Sequence, residues 1–113
     1  MNIQIFGINK CNDTKKAQRY FKERGINFQF IDMKEKGLSK GEFDSVAEIM
    51  GGINNMLNCN CKDKATLSLI KHTAEEDREE KILENQKVLI TPIVRNGKKS
   101  TIGYKPEIWG NWE

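Results

Sequence analysis

Apolar residues recur along this chain in two rhythms, and the rhythm changes where short apolar runs give way to amphipathic stretches. Ile3-Gln4-Ile5-Phe6-Gly7 is a short apolar run of strand character. After a polar turn ending in Cys11, Ala17, Tyr20 and Phe21 recur at three- and four-residue spacing. They form one apolar stripe on a long helix whose wet faces are Lys15, Lys16, Gln18, Arg19, Lys22, Glu23 and Arg24. Asn12 or Asp13 is expected to cap this helix, Thr14 falls in its first turn, and Gly25 ends it as a left-handed C-cap. A second strand follows over Ile26 to Ile31, closed by Asp32 and Met33. Strand, helix and strand within about thirty residues predict a βαβ unit with parallel strands and a right-handed crossover.

The rhythm then turns helical. Ser39 and Glu42 form a capping-box pattern ahead of Phe43, Val46, Ala47 and Met50, and Gly51-Gly52 stops that helix. Ile53 to Leu57 fits one further helical turn, and Asn58 to Lys64 is a polar loop carrying Cys59 and Cys61. Ala65 to Thr73 reads as a helix with Leu67 and Ile70 inward and Leu69 as a further inward candidate. Glu75 to Gln86 is strongly charged, with Ile82 and Leu83 as its apolar contacts and acids at its start, where the helix dipole favours them. Residues 39–86 are thus an all-helical insert of three or four short helices. Strands return at Val88-Leu89-Ile90, Ile93-Val94-Arg95 and Lys99 to Ile102, with Asn96-Gly97 as the hairpin turn. Pro92 cannot donate to a ladder, so it belongs at a strand start, an edge or a bulge; either isomer of the Thr91–Pro92 bond is open. Pro106 suits the first turn of a last helix packed through Ile108, Trp109 and Trp112.

The 113 residues fit one domain, and 31% charged against 37% hydrophobic residues suits a soluble globular chain. A net charge of +3 with acids and bases interspersed points neither to nucleic acid nor to a membrane surface. No apolar stretch approaches the ~20 residues that cross a bilayer, and nothing resembles a signal peptide. The expected location is the cytoplasm, where thiols stay reduced; an odd count of three cysteines also argues against a disulfide scaffold.

That puts the chemistry on free thiols. Cys11 stands where a strand hands over to a helix, and the free N–H groups and dipole of a helix N-terminus favour thiolate over thiol. Lys10, Lys15 and Lys16 are expected to add positive charge. The competing reading is a small buried cysteine that happens to lie near a helix start. Cys59 and Cys61 are two ordinary loop cysteines, or a resolving thiol for Cys11, or half of a metal site. Convincing further ligands are missing, since His72 is the only histidine and reads as a surface residue, so no metal is expected. Met50 and Met56 read as core filling, and the acidic run from Glu75 to Glu80 as a solvated helix face.

The ordered set of Phe6-Gly7-Ile8-Asn9-Lys10-Cys11-Asn12-Asp13-Thr14-Lys15-Lys16-Ala17, Thr91-Pro92-Ile93-Val94, Asn96-Gly97-Lys98 and Ile102-Gly103-Tyr104-Lys105-Pro106 resembles the arsenate-reductase-like branch of the thioredoxin fold, which also contains Spx-type regulators. The resemblance implies an α/β, four-stranded mixed sheet flanked by helices, interrupted by the helical insert. It makes Cys11 the nucleophile and Thr14 the second small position of a monothiol site. It places Thr91 and Pro92, with a cis bond, opposite the cysteine, and makes Lys10, Asn12, Lys15 and Arg95 site-lining candidates. It implies no bound cofactor, glutathione or a glutaredoxin or thioredoxin as electron donor, and a small oxyanion or a thiol or disulfide as substrate. The arginines that grip the oxyanion in such reductases are not matched at Thr91, near Asn58 or at Tyr104-Lys105, and Arg95 lies two places beyond the loop position. The expected activity is therefore thiol–disulfide exchange through Cys11 rather than arsenate reduction. The alternative is an Spx-like, non-catalytic regulator that binds RNA polymerase.

Overall fold

A computed structural model describes residues 1–112. The chain forms two compact units, Met1–Gly37 with Thr91–Glu113, and Leu38–Ile90.

The first unit is built on β1 (Ile3–Gly7), α1 (Asn12–Glu23), β2 (Phe28–Asp32), β3 (Ile93–Asn96) and β4 (Lys99–Ile102). The strands lie in the order β2-β1-β3-β4, with β1 parallel to β2 and the other two pairings antiparallel. This is the mixed four-stranded sheet that the family resemblance implies. Ile3 and Ile5 point from β1 onto α1, whose Ala17, Tyr20 and Phe21 pack with Val94 and Trp109. The rings of Tyr20, Phe21 and Trp109 meet pairwise at 5.0–5.2 Å between centroids, an aromatic cluster beneath the helix. Trp109 Nε1 donates to Thr101 Oγ1 at 2.8 Å, so the buried indole N–H is satisfied. Trp109 lies in the short α5 (Pro106–Trp109), which opens with proline as expected. Ile108, expected to pack, is exposed instead, because one turn of helix turns only Trp109 inward.

Gly25 ends α1 with φ +66°, and Ile26 N donates back to Phe21 O at 2.9 Å, so the left-handed cap is as read. The N-cap is not Asn12 or Asp13 but Cys11 itself, in extended backbone with no side-chain cap bond. Gly97, with φ +61°, makes the tight β3–β4 turn between paired Asn96 and Lys99.

The second unit holds α2 (Lys40–Met50), α3 (Lys64–Lys71), α4 (Glu75–Glu84) and two 3-10 turns, Ile53–Met56 and Gln86–Val88. Ser39 Oγ accepts from Glu42 N at 3.2 Å, and Glu42 Oε1 accepts from Ser39 N at 2.9 Å, closing the predicted capping box. Ser39→Ala is expected to cost about 1 kcal/mol in a denaturant titration, the usual worth of a lost N-cap. Phe43, Val46, Met56, Ile70, Ile82 and Val88 are buried. Leu69 is exposed, contrary to its reading as an inward candidate. Val88-Leu89-Ile90 is not a strand: the segment is a 3-10 turn followed by one isolated antiparallel bridge, Leu57 to Leu89. A three-residue apolar run has too little periodicity to separate these outcomes. No helix among the described residues is long and apolar enough to cross a membrane.

Candidate active site

The pairing register builds the site. Because β3 runs antiparallel to β1 with Phe6 opposite Ile93, the residues just before β3 lie beside the loop that follows β1. Thr91 and Pro92 therefore meet the Gly7–Cys11 turn, and the Thr91–Pro92 peptide bond is cis. Pro92 sits immediately ahead of β3, where its missing N–H costs no ladder bond; its carbonyl accepts from Gly103 N at 2.8 Å. Cys11 N donates to Ile8 O at 3.0 Å, which closes the turn and sets the sulfur at the tip of α1.

Cys11 is a free, partly exposed thiol whose Sγ lies 3.7 Å from Thr91 O. Burial pushes its pKa up, but the Thr14 hydroxyl, the Thr91 side chain and the backbone amides of Thr14 and Asp13 outweigh it, and the net direction is down from the ordinary 9.0. Every favourable cause is a hydrogen bond. Lys10, Lys15 and Lys16 are exposed and are not among the causes, so the expected lysine charge is not what lowers this pKa.

Thr14 is fully buried, and no hydrogen-bond partner is found for its Oγ1. Ionised sulfur gives that hydroxyl the acceptor it lacks, which is why the thiolate is the better-satisfied state. The sequence pattern marks Gly7 only as the end of an apolar run, whereas the packing leaves no space for a side chain there. A Cβ there would lie 2.5 Å from both Oγ1 and Cγ2 of Thr14, so only glycine lets the helix start descend onto the end of β1. The available signal was a glycine closing the strand four residues before the cysteine.

Other candidates fall elsewhere. Asn12 is exposed at the helix start. Arg95 pairs across the ladder with Gln4 and donates to its Oε1 at 3.2 Å. Gln4 is three positions from Gly7, which puts Arg95 roughly 10 Å down the strands from the loop. Register thus separates Arg95 from Cys11. In the second unit Cys59 is exposed, whereas Cys61 is buried with Sγ 3.6 Å from Lys87 O. His72 is exposed, its Nδ1 2.8 Å from Ser68 O. Among the described residues no group of three or more His, Cys, Asp or Glu side chains is placed to hold a metal.

Residues 6–111, which span the strand-to-helix cysteine and the cis-proline loop, match the ArsC family model. The chain belongs to the ArsC family. It is 24% identical to the uncharacterized protein YusI of Bacillus subtilis (strain 168) over 117 residues, covering 99% of each. An ArsC family related protein from Bacteroides fragilis has the same fold at a TM-score of 0.82 and 19% identity, over 100% of this chain and 98% of that one. An arsenate reductase from Vibrio cholerae matches at a TM-score of 0.79 and 22% identity, over 96% of this chain and 94% of that one. The family includes arsenate reductases, and its fold is thioredoxin-like.

Proposed function

We propose that this ArsC-family chain is a thiol-dependent oxidoreductase acting in the cytoplasm, with Cys11 as its nucleophile. The observation that supports this best is the pairing of a partly exposed Cys11 at the α1 N-cap with the buried, otherwise partnerless Thr14 hydroxyl. The Cys11 thiolate attacks one sulfur of a disulfide. A Cys11 Sγ–S bond forms, the old S–S bond breaks, and the second sulfur leaves with the electron pair. A second thiolate, from glutathione or from a glutaredoxin or thioredoxin, then attacks the mixed disulfide and returns Cys11 to the thiolate. Cys59 is exposed and therefore the better internal candidate for resolution; Cys61 would first have to leave its buried place. Arsenate is not the substrate we favour. Thr91 stands before the loop proline, and Arg95 is turned to Gln4. Thr14 fills the place of the second thiol of a redox-switched, polymerase-binding regulator, which favours the oxidoreductase reading.

The test is the pH profile of Cys11 alkylation in a Cys59→Ser/Cys61→Ser background. The midpoint is expected below the ordinary 9.0. Thr14→Val keeps the shape and removes the hydroxyl, so it should raise that midpoint and slow alkylation several-fold at neutral pH. It should cost little stability, because the buried hydroxyl has no other protein partner to lose. An ordinary midpoint in the parent chain, with no glutathione adduct, would refute the proposal. The same lowering ties stability to pH. The folded chain releases the Cys11 proton more readily than the unfolded one, so the contribution is complete above the unfolded value and is lost as pH falls through the folded one.

A further inference from the structure

The charge of the chain is divided unevenly. Met1–Gly37 with Thr91–Glu113 carries twelve Lys and Arg against six Asp and Glu, a net +6, whereas Leu38–Ile90 carries seven against ten, a net −3. The ion pairs found among the described residues, Lys40–Asp44, Lys40–Glu79, Lys81–Glu84 and Lys87–Asp63, all lie in the second unit. Lys15, Lys16, Arg19 and Lys22, on the exposed face of α1, have no carboxylate within 4.0 Å among the described residues. Beside them a groove of about 210 Å³ opens between α1 and the segment entering α5, with Lys16, Arg19, Arg24 and Tyr104 in its lining and Glu23 as its one acid. Two of its cations are steadied from below: Arg24 lies 3.7 Å over the Tyr20 ring and Lys16 5.8 Å over Tyr104. Three cations to one acid, with no ion pair found among them, leave a groove of this size with a net positive lining that fits carboxylate side chains.

The basic face begins at the reactive end of the helix. Lys15 is one turn past Cys11, and Arg19 and Lys22 follow at roughly 12 and 16 Å along the axis. A small thiol at Cys11 cannot span that distance, whereas a protein can. We infer that the outer face of α1 is the docking surface for an acidic protein segment that carries the sulfur exchanging with Cys11. This rests on Cys11 being the exchanging thiol, as proposed above. Charge complementarity of this kind acts mainly on the encounter rate, and screening removes it.

Three peptides of equal length decide it, each bearing one central cysteine as a 2-thiopyridyl disulfide, flanked by Asp and Glu, by Ser and Gly, or by Lys. Attack by Cys11 forms the protein–peptide disulfide and releases 2-thiopyridone, which takes the electron pair and a proton from water. In the Cys59→Ser/Cys61→Ser chain at low salt, the acidic peptide is expected to react on the order of tenfold faster than the neutral one, and the basic peptide slower. The preference should collapse at high salt. Arg19→Glu/Lys22→Glu should invert it, and Arg19→Gln/Lys22→Gln should abolish it, each read against the neutral peptide's rate in the same variant. Equal rates for the three peptides at low salt, or a preference that survives charge reversal, would overturn the proposal. So would displacement by a single-stranded oligonucleotide that binds the face more tightly than the acidic peptide, or self-association that charge reversal abolishes in sedimentation. An inert Cys11 toward the neutral peptide would instead refute the exchange reading and take this proposal with it.

Discussion

Cys11→Ser is expected to reduce mixed-disulfide formation with oxidised glutathione below detection, a loss of at least about a thousandfold, while the protein becomes no less stable at a pH below the Cys11 midpoint. The loss follows from the nucleophile: the exchange needs a thiolate, and a serine hydroxyl stays protonated at any working pH. The retained stability follows from the position. The neutral Cys11 side chain makes no cap bond at the start of α1; the Thr14 and Asp13 amides favour its thiolate, and serine, among the best N-cap residues, accepts from such amides without ionising. Its oxygen can accept from the Thr14 amide, which is worth up to about 1 kcal/mol. Stability and reactivity are thus predicted to move in opposite directions, as expected where a chain keeps a poor cap for its chemistry. Intact-mass analysis and denaturant titration of the parent and the variant measure both. An adduct that persists at an unchanged rate in the variant would move the reactive thiol to Cys59 or Cys61.

The second large effect belongs to Gly7. Gly7→Ala places a methyl group where Thr14 already stands, at 2.5 Å, and Thr14 is a short, fully buried side chain in the first turn of α1. The helix start must lift off the strand, at a cost of about 2 kcal/mol. The same displacement takes the Thr14 hydroxyl from Cys11, so the alkylation midpoint should rise with the loss of stability. The added variant Thr14→Ala removes both atoms that collide. Gly7→Ala/Thr14→Ala should therefore recover most of the stability but none of the low midpoint, a coupling a double-mutant cycle reads directly. Additive losses would show that the two residues do not share this contact.

Much of this architecture is legible from residue patterns. The βαβ unit rests on Ile3 to Gly7, the Ala17-Tyr20-Phe21 stripe and Gly25; the hairpin rests on Asn96-Gly97; α2 rests on Ser39 and Glu42. Each is a local signal with a local cause. What escaped the sequence depends on approach between distant segments. Gly7 matters only because α1 descends onto it, and Arg95 is drawn off by Gln4 only because β3 pairs with β1 in one particular register. The cap of α1 was misplaced for a related reason. Asn12 and Asp13 are better cap formers than cysteine, but the Cys11 N to Ile8 O turn starts the helix one residue sooner. The lysines near Cys11 are close in sequence yet point to water, so hydrogen bonds rather than net charge tune the sulfur. Leu69 and Ile108 show that an apolar residue in a short helix need not face inward.

The burial of Trp109 against Thr101 also gives the protein an intrinsic fluorophore. Both tryptophans, Trp109 and Trp112, and both tyrosines, Tyr20 and Tyr104, lie in the sheet-bearing unit, and residues 38–90 contain neither type. Indole emission therefore follows the sheet and α5 alone, shifting to the red as Trp109 meets water. Far-ultraviolet dichroism, weighted by α2, α3 and α4, follows the helical unit as well. Recorded together through one unfolding transition, the two signals reveal without any label whether the halves of this chain melt as one.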